Sequence, residues 1–221
     1  MEQIKQIPYG VSDFRSVIEQ NLYYVDKSMY IEELERQSRT LIFIRPRRFG
    51  KSLFINMMRL YYDKAAAGDF ERIFGGLYIG QHPTPLRNHY QVLYLDFSQI
   101  GGNISTLEVN FEEYCALSLD DFMRRYRDDY PADVVKAVFD IPTYSGKLKL
   151  IVDNAKSLQI PLYLIIDEYD NFTNVVLNEQ GEEVYHAITH ADGFYRDLFK
   201  KFKGNFERIF LTGVSPVTLD D

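Results

Sequence analysis

The 221-residue sequence has no tryptophan and a single cysteine, Cys115. One thiol cannot close an internal disulfide, and no Cys cluster exists to hold zinc, so the composition suits a reducing compartment. A basic surplus is missing too: 25 Lys and Arg stand against 32 Asp and Glu, a formal net charge of -7 and a sequence pI of about 5.2. That balance argues against a surface built to coat a polyanion, because non-specific nucleic-acid affinity comes from clustered cations. Two local basic clusters remain, MRRYR around Arg124, Arg125 and Arg127, and FKKFKG around Lys200, Lys201 and Lys203. Each lies in a helix-like stretch with apolar partners on the opposite side, which reads as a solvated face or as a partner site. The start, MEQIKQIPYG, lacks the apolar core of a signal peptide, and no run approaches the eighteen or so apolar residues of a membrane span. The expected location is the cytoplasm.

What the chain does have is core-forming material: 46% hydrophobic residues, with 17 Tyr and 16 Phe. This is a globular composition, and the length fits one large domain or a domain with an appendage. Apolar runs of strand length occur at LIFI (41–44), VLYLDFS (92–98), LYLIIDEYD (162–170) and ERIFLTG (207–213). The first is unbroken, as in a parallel strand covered on both faces. Helical spacing follows Gly50 up to about Tyr62, runs from Glu108 to about Tyr130, and returns from Ser145, a candidate N-cap, to Ser157. It appears again in HADGFYRDLFKKFKG, where Phe194, Leu198 and Phe202 share a stripe. An aromatic-rich lead-in, Ile7 to Glu35, precedes the first strand, with Ser12 or Asp13 capping one short helix and Asp26 another. Strands alternating with helices imply an α/β fold with a mainly parallel sheet between helical layers. No helix follows SPVTLDD, so the expectation is a piece of something longer.

LIFIRPRRFGKS is where the chain turns from strand to helix. Gly50, Lys51 and Ser52 end the pattern G-x-x-x-x-G-K-[ST], in which backbone N–H groups at a helix N-terminus curl around an anion. Arg45 stands where the first glycine belongs, and Pro46 removes one donor. The tripeptide alone is weak, since Gly146-Lys147-Leu148 carries the same Gly-Lys pair without the hydroxyl or a preceding strand. Only the Lys51 site lies between strand and helix. Two readings stay open here, a phosphate loop and a structural turn.

Asp167 and Glu168 end a hydrophobic run, an expensive place for two acids unless they serve a cation or a water. An acid there can help position Mg²⁺, and a second just beyond it can deprotonate an attacking water. The bland alternative is strand-end capping or pairing with the arginines of 45–48. Combined with the loop, the assignment is Lys51 on the β- and γ-phosphates, Ser52 and Asp167 on the metal, and Glu168 as base. Thr212, ending the fourth strand, is placed to bond the water or the γ-phosphate. All of these would converge beyond the carboxyl ends of the strands.

The lead-in IPYGVSDFRSVIEQNLYYVDKS, the loop RPRRFGKS, the strand VLYLDFS, the motif LIIDEYD and the strand end FLTGVSP follow one another as in the AAA-ATPase-like family. From about Ile7 to Pro216 the chain resembles that family, which belongs to the additional-strand, catalytic-glutamate P-loop ATPases. The resemblance implies a three-layer αβα P-loop NTPase core over 39–221, preceded by a helical lead-in over 1–38 packed on it. It implies that the Lys51 and Asp167 strands flank the Thr212 strand, with VLYLDFS further out. It also implies ATP and Mg²⁺ as ligands, RPRRFGKS as Walker A, and LIIDEYD as Walker B. Arg47, Arg48, Phe49, Gly50, Lys51, Ser52 and Leu53 would then hold the nucleotide. Arg48 joins Glu168, Lys51 and Thr212 as a catalytic candidate, because Arg47 and Arg48 are placed to neutralise transition-state charge in cis. They are equally placed to be anchored by Glu168 or to face solvent. Pro8 and Tyr9, with Ile7, are candidates for the adenine contact, the alternative being cover for the sheet edge.

Family members often continue into a helical lid and a C-terminal nuclease-like domain, so an effector domain in a longer protein is an expected partner, and self-assembly stays open. Two functions remain: Mg²⁺-dependent hydrolysis of ATP, or a nucleotide-gated switch with little turnover. His186 and His190 share a helix face, but HAITH has alanine where a zinc-protease motif needs glutamate. Asp96 is a loop cap or a neighbour of the site, and Tyr23 and Tyr24 read as packing residues.

Overall fold

The structure is a computed structural model, and it describes residues 5–101, 104–171, 173, 176 and 194–216. Its centre is a four-stranded parallel sheet: β1 (Thr40–Ile44), β2 (Gln91–Asp96), β3 (Leu162–Asp167) and β4 (Arg208–Gly213), in the order β1-β4-β3-β2. This is the arrangement implied by the family resemblance. Registers run Ile42 to Leu211, Ile165 to Phe210 and Leu95 to Ile166 across the three pairs.

Alternation along each strand splits the core in two. Val92, Tyr163, Ile165 and Phe210 face one side and pack on α3 (Lys51–Tyr62) and on α4 (Phe70–Phe74) and α5 (Tyr78–Gln81). Phe14 of α1 (Phe14–Glu19) and Ile31 of α2 (Tyr30–Arg36) join the same cluster, so the aromatic lead-in shares its core with the helix after the glycine-lysine turn. Leu93, Leu95, Leu164, Ile166 and Leu211 face the other side. They meet α6 (Ile104–Tyr126), α7 (Ala132–Asp140), α8 (Tyr144–Ser157) and α9 (Phe194–Phe202). These are three layers, αβα.

The boundaries differ from the sequence reading for identifiable reasons. α6 starts earlier than Glu108 and stops at Tyr126, because Tyr130 precedes Pro131 and is extended. Pro131 then opens α7, which sequence periodicity missed. α8 is capped by Thr143, not Ser145: Gly146 N donates to Thr143 Oγ1 at 3.3 Å. Asp13 caps α1, but Asp26 caps no adjoining helix; it accepts from Ser28 N and from Tyr78 N, both at 2.8 Å. β1 is an edge strand and Ile42 is 55% exposed, so the expectation of cover on both faces is not met among the described residues. The unbroken apolar run reported strand type but could not report edge position.

Members of both basic clusters are engaged in ion pairs. Arg124 meets Asp121 and Arg125 meets buried Asp63, each at 2.5 Å, and Lys201 meets Asp197 at 2.5 Å. Among the described residues no helix is long and apolar enough to cross a membrane.

Candidate functional site

The connection leaving β1 runs over one face of the sheet and the one entering β4 over the other. This opens a crevice beyond the carboxyl ends of those neighbouring strands. The chain crosses that crevice at residues 45–50. Arg45 N still donates to Gly213 O at 3.2 Å, extending the β1–β4 ladder by one residue. Its backbone therefore needs no glycine freedom, and its guanidinium folds back over the Phe43 ring, 4.8 Å from the centroid. Left-handed backbone falls instead at Arg48, φ 67°, and at Gly50, φ 77°. Gly50 is the N-cap of α3 and offers no side-chain cap, so the amides of Lys51, Ser52 and Leu53 start the helix without intrahelical acceptors.

Lys51 is 6% exposed, and its Nζ donates to Arg45 O at 3.1 Å and Pro46 O at 3.2 Å, inside the turn it terminates. The Gly146-Lys147 pair shows the contrast. Lys147 Nζ is consumed by Asp120 at 2.6 Å and by Val138 O at 2.8 Å, as a buried structural pair.

Beyond β3, Asp167 is 3% exposed and its Oδ1 accepts from Thr212 Oγ1 at 2.5 Å and from Glu168 N at 3.0 Å. Thr212, fully buried, thus spends its hydroxyl proton on Asp167. Glu168 is half-buried and left-handed, φ 51°, a conformation that costs a non-glycine residue about 1–2 kcal/mol. Burial lifts the Glu168 carboxyl above its ordinary range, with the charges of Asp167 and Asp96 adding to the rise. Lys51 and Arg47 oppose it. Those mutual influences place the loop cations and the three acids in one field. Asp96 also caps the short turn Phe97–Gln99, accepting from Ser98 N at 3.0 Å. Arg47 and Arg48 are exposed.

A cavity of about 650 Å³ opens beside the loop. Phe43, Phe49, Leu53 and Phe54 form one wall; Tyr23, Tyr24, Val25, Tyr30 and Leu34 of the lead-in form the other. Gly50, Lys51 and Arg45 line it on the side of the loop, and Pro8 closes part of its rim. Tyr9 is 91% exposed and Ile7 79% exposed, and neither lines it. The richness of the lead-in in Tyr was visible in sequence, but the face each ring takes was not. Tyr24 does pack, 5.2 Å from Phe14, whereas Tyr23 is exposed along the cavity.

Ser52 and Asp167 supply one hydroxyl and one carboxylate, hard oxygen donors that suit Mg²⁺, which keeps several waters and takes phosphate oxygens rather than needing a protein cage. Among the described residues no group of three or more His, Cys, Asp or Glu side chains could hold a metal ion. His186 and His190 lie outside the described residues. Asp170, which sequence reasoning passed over, is buried at the β3 exit and holds the β4 exit through Val214 N and Ser215 N.

A family model described as AAA-ATPase_like, Predicted AAA-ATPase, matches residues 8–221. A curated protein from Azotobacter chroococcum mcd 1, named "Uncharacterized protein in vnfD 5'region", is 35% identical over 101 residues. The match takes in 45% of this chain and 18% of that relative, so the chain spans under a fifth of the relative's length. No solved structure matches.

Proposed function

Because the chain belongs to the AAA-ATPase-like family of predicted AAA-ATPases, we propose that it binds ATP with Mg²⁺ and cleaves the γ-phosphate with water. The observation that carries this reading is that the Lys51 turn after β1 and the Asp167–Glu168 end of β3 lie at the carboxyl edge on either side of β4, whose Thr212 bonds Asp167. In the proposed complex the amides of Gly50 to Leu53 take the phosphates. The Lys51 ammonium, with three donors of which two are on carbonyls, turns its third to them. Ser52 and Asp167 hold the metal, which when bound neutralises phosphate charge. Glu168 accepts the proton of the attacking water, and burial beside Asp167 and Asp96 makes it a stronger base than an ordinary carboxylate. Thr212 keeps Asp167 in place, and Arg48, with Arg47, meets developing charge from the solvent side. The base stacks in the aromatic cavity between Tyr23, Tyr30 and Phe54, with Pro8 at its rim. In this reading residues 1–38 are a lead-in that completes the base pocket of a core over 39–221, and a longer protein would supply an effector domain.

Thermal unfolding with and without Mg-ATP tests binding. At a hundredfold excess over Kd the ligand adds about 2.7 kcal/mol, or about 5–10 °C for a domain of this size, and Lys51→Ala should abolish it. No shift in wild type removes the proposal. Phosphate release by wild type against Glu168→Gln separates hydrolysis from a nucleotide-gated switch: equal rates would deny Glu168 its role as base.

A further inference from the structure

We propose that Asp170 is the positioning residue that holds Glu168 in its left-handed turn, an inference that rests on the hydrolytic role given to Glu168 above. Pairing of β3 with β4 ends at Ile166 and Leu211, yet the two exits stay joined for four more residues. Thr212 Oγ1 donates to Asp167, Tyr169 N donates to Thr212 O at 2.9 Å, and Tyr169 Oη donates to Ser215 O at 3.1 Å. Asp170, 2% exposed, closes the clamp: its Oδ2 accepts from Val214 N at 3.0 Å, Ser215 N at 2.7 Å and Ser215 Oγ at 2.8 Å. The two exits lie so close that a Cβ on Gly213 would stand 2.6 Å from the Tyr169 ring and nearer still to Asp170 Oδ1.

Glu168 is the link between the clamped residues. Asp167 on one side and Tyr169 with Asp170 on the other are fixed to β4, while Asn171 N donates to Glu168 O at 2.9 Å. A left-handed glutamate persists only where its neighbours over-determine it. Among those ties the Asp170 carboxylate takes three donors from the β4 exit, and bonds to a carboxylate are roughly twice as strong as neutral ones. Without it the turn can relax toward right-handed backbone, carrying the Glu168 carboxylate away from Lys51. Ser215 and Val214 are exposed to that same shift, so the ends of β3 and β4 move as one unit.

Two measurements on the whole chain decide this, using Asp170→Asn and Asp170→Ala. Asp170→Asn keeps an acceptor oxygen and guards against a variant that fails to fold. Amide exchange followed by NMR should show Tyr169 and Asn171 exchanging about tenfold faster or more in Asp170→Ala, with Ile165 unchanged. If only Val214 and Ser215 accelerate, Asp170 does not hold the turn and the proposal is overturned, whether or not the chain hydrolyses ATP. In phosphate release, Asp170→Ala should lower kcat about 100-fold with KM nearly constant, the scale of a displaced catalytic group. Asp170→Asn should recover much of the loss, and Asp170→Ala should add nothing on top of Glu168→Gln. Multiplicative losses in the double variant would make Asp170 merely structural and overturn the proposal. Absence of phosphate release from wild type overturns the hydrolytic reading instead, and the exchange result still decides what Asp170 holds.

Discussion

Replacing Thr212 with valine removes one hydroxyl and keeps the shape. In the folded chain that hydroxyl donates to Asp167 Oδ1 at 2.5 Å, with Thr212 fully buried and Asp167 3% exposed. No water can take its place without opening the end of the sheet. A hydrogen bond to a charged group contributes about 1.5–3 kcal/mol net. For a domain of 150–250 residues each kcal/mol moves Tm by about 2–4 °C, so Thr212→Val should melt about 3–12 °C lower. Thr212→Ser keeps the donor and loses one buried methyl, which should cost about 1 kcal/mol. Urea unfolding, with the slope compared between variants, is the assay, because an unchanged slope assigns the loss to the native state. A Thr212→Val midpoint within error of wild type, or a Ser variant as weak as the Val variant, would refute the reasoning. Either result would mean that the Asp167–Thr212 bond is not what holds the two strand ends.

Gly213→Ala should destabilise by about 1–3 kcal/mol through overpacking, since its Cβ meets the Tyr169 ring at 2.6 Å, and thermal melts would show it. Without nucleotide, Glu168→Gln should raise stability at neutral and alkaline pH. The folded-state affinity of Glu168 for protons is raised, so its contribution is complete below the ordinary carboxylate range and lost as pH rises through the folded value. Melts of the two proteins should converge at acid pH, and a constant difference would exclude the titration of Glu168 as the cause. Lys147→Met leaves Asp120 unpaired beside α8, and should cost about 3–5 kcal/mol in a denaturant titration. Cys115 is buried and its thiol is pushed well up by desolvation, so alkylation should proceed only as fast as the chain unfolds. Rapid labelling of the native protein would contradict that burial.

Much of the fold was legible because strand and helix periods differ and because parallel strands read as continuous apolar runs. Each of the four strands lies within three residues of its apolar run at either end. The loop and the acidic strand end were legible for a different reason: Lys51 sits between strand and helix, and Asp167 and Glu168 end a run that would otherwise be uniformly apolar. Where the reading failed, the competing force was tertiary. Asp26 looks like a local cap, but its carboxylate also reaches Tyr78 N, 52 positions away. Tyr9 and Tyr23 look alike in sequence, and only packing sends one to solvent and the other to the cavity.

The sequence alone determined the places of the four strands, the α/β class and the residue types at the two chemical strand ends, because these follow from local periodicity and from the cost of burying charge. The tertiary structure decided which ends meet. Glu168 acquires its raised proton affinity only when folding buries it and sets Asp167 and Asp96 beside it, and Arg45 is tolerated because Gly213 takes its amide in a ladder. Asp170 reads as one more acid in DEYD until folding buries it against Val214 and Ser215. Hydrogen bonds between residues 44 or 45 positions apart have no local signature, so only the folded chain could reveal that clamp.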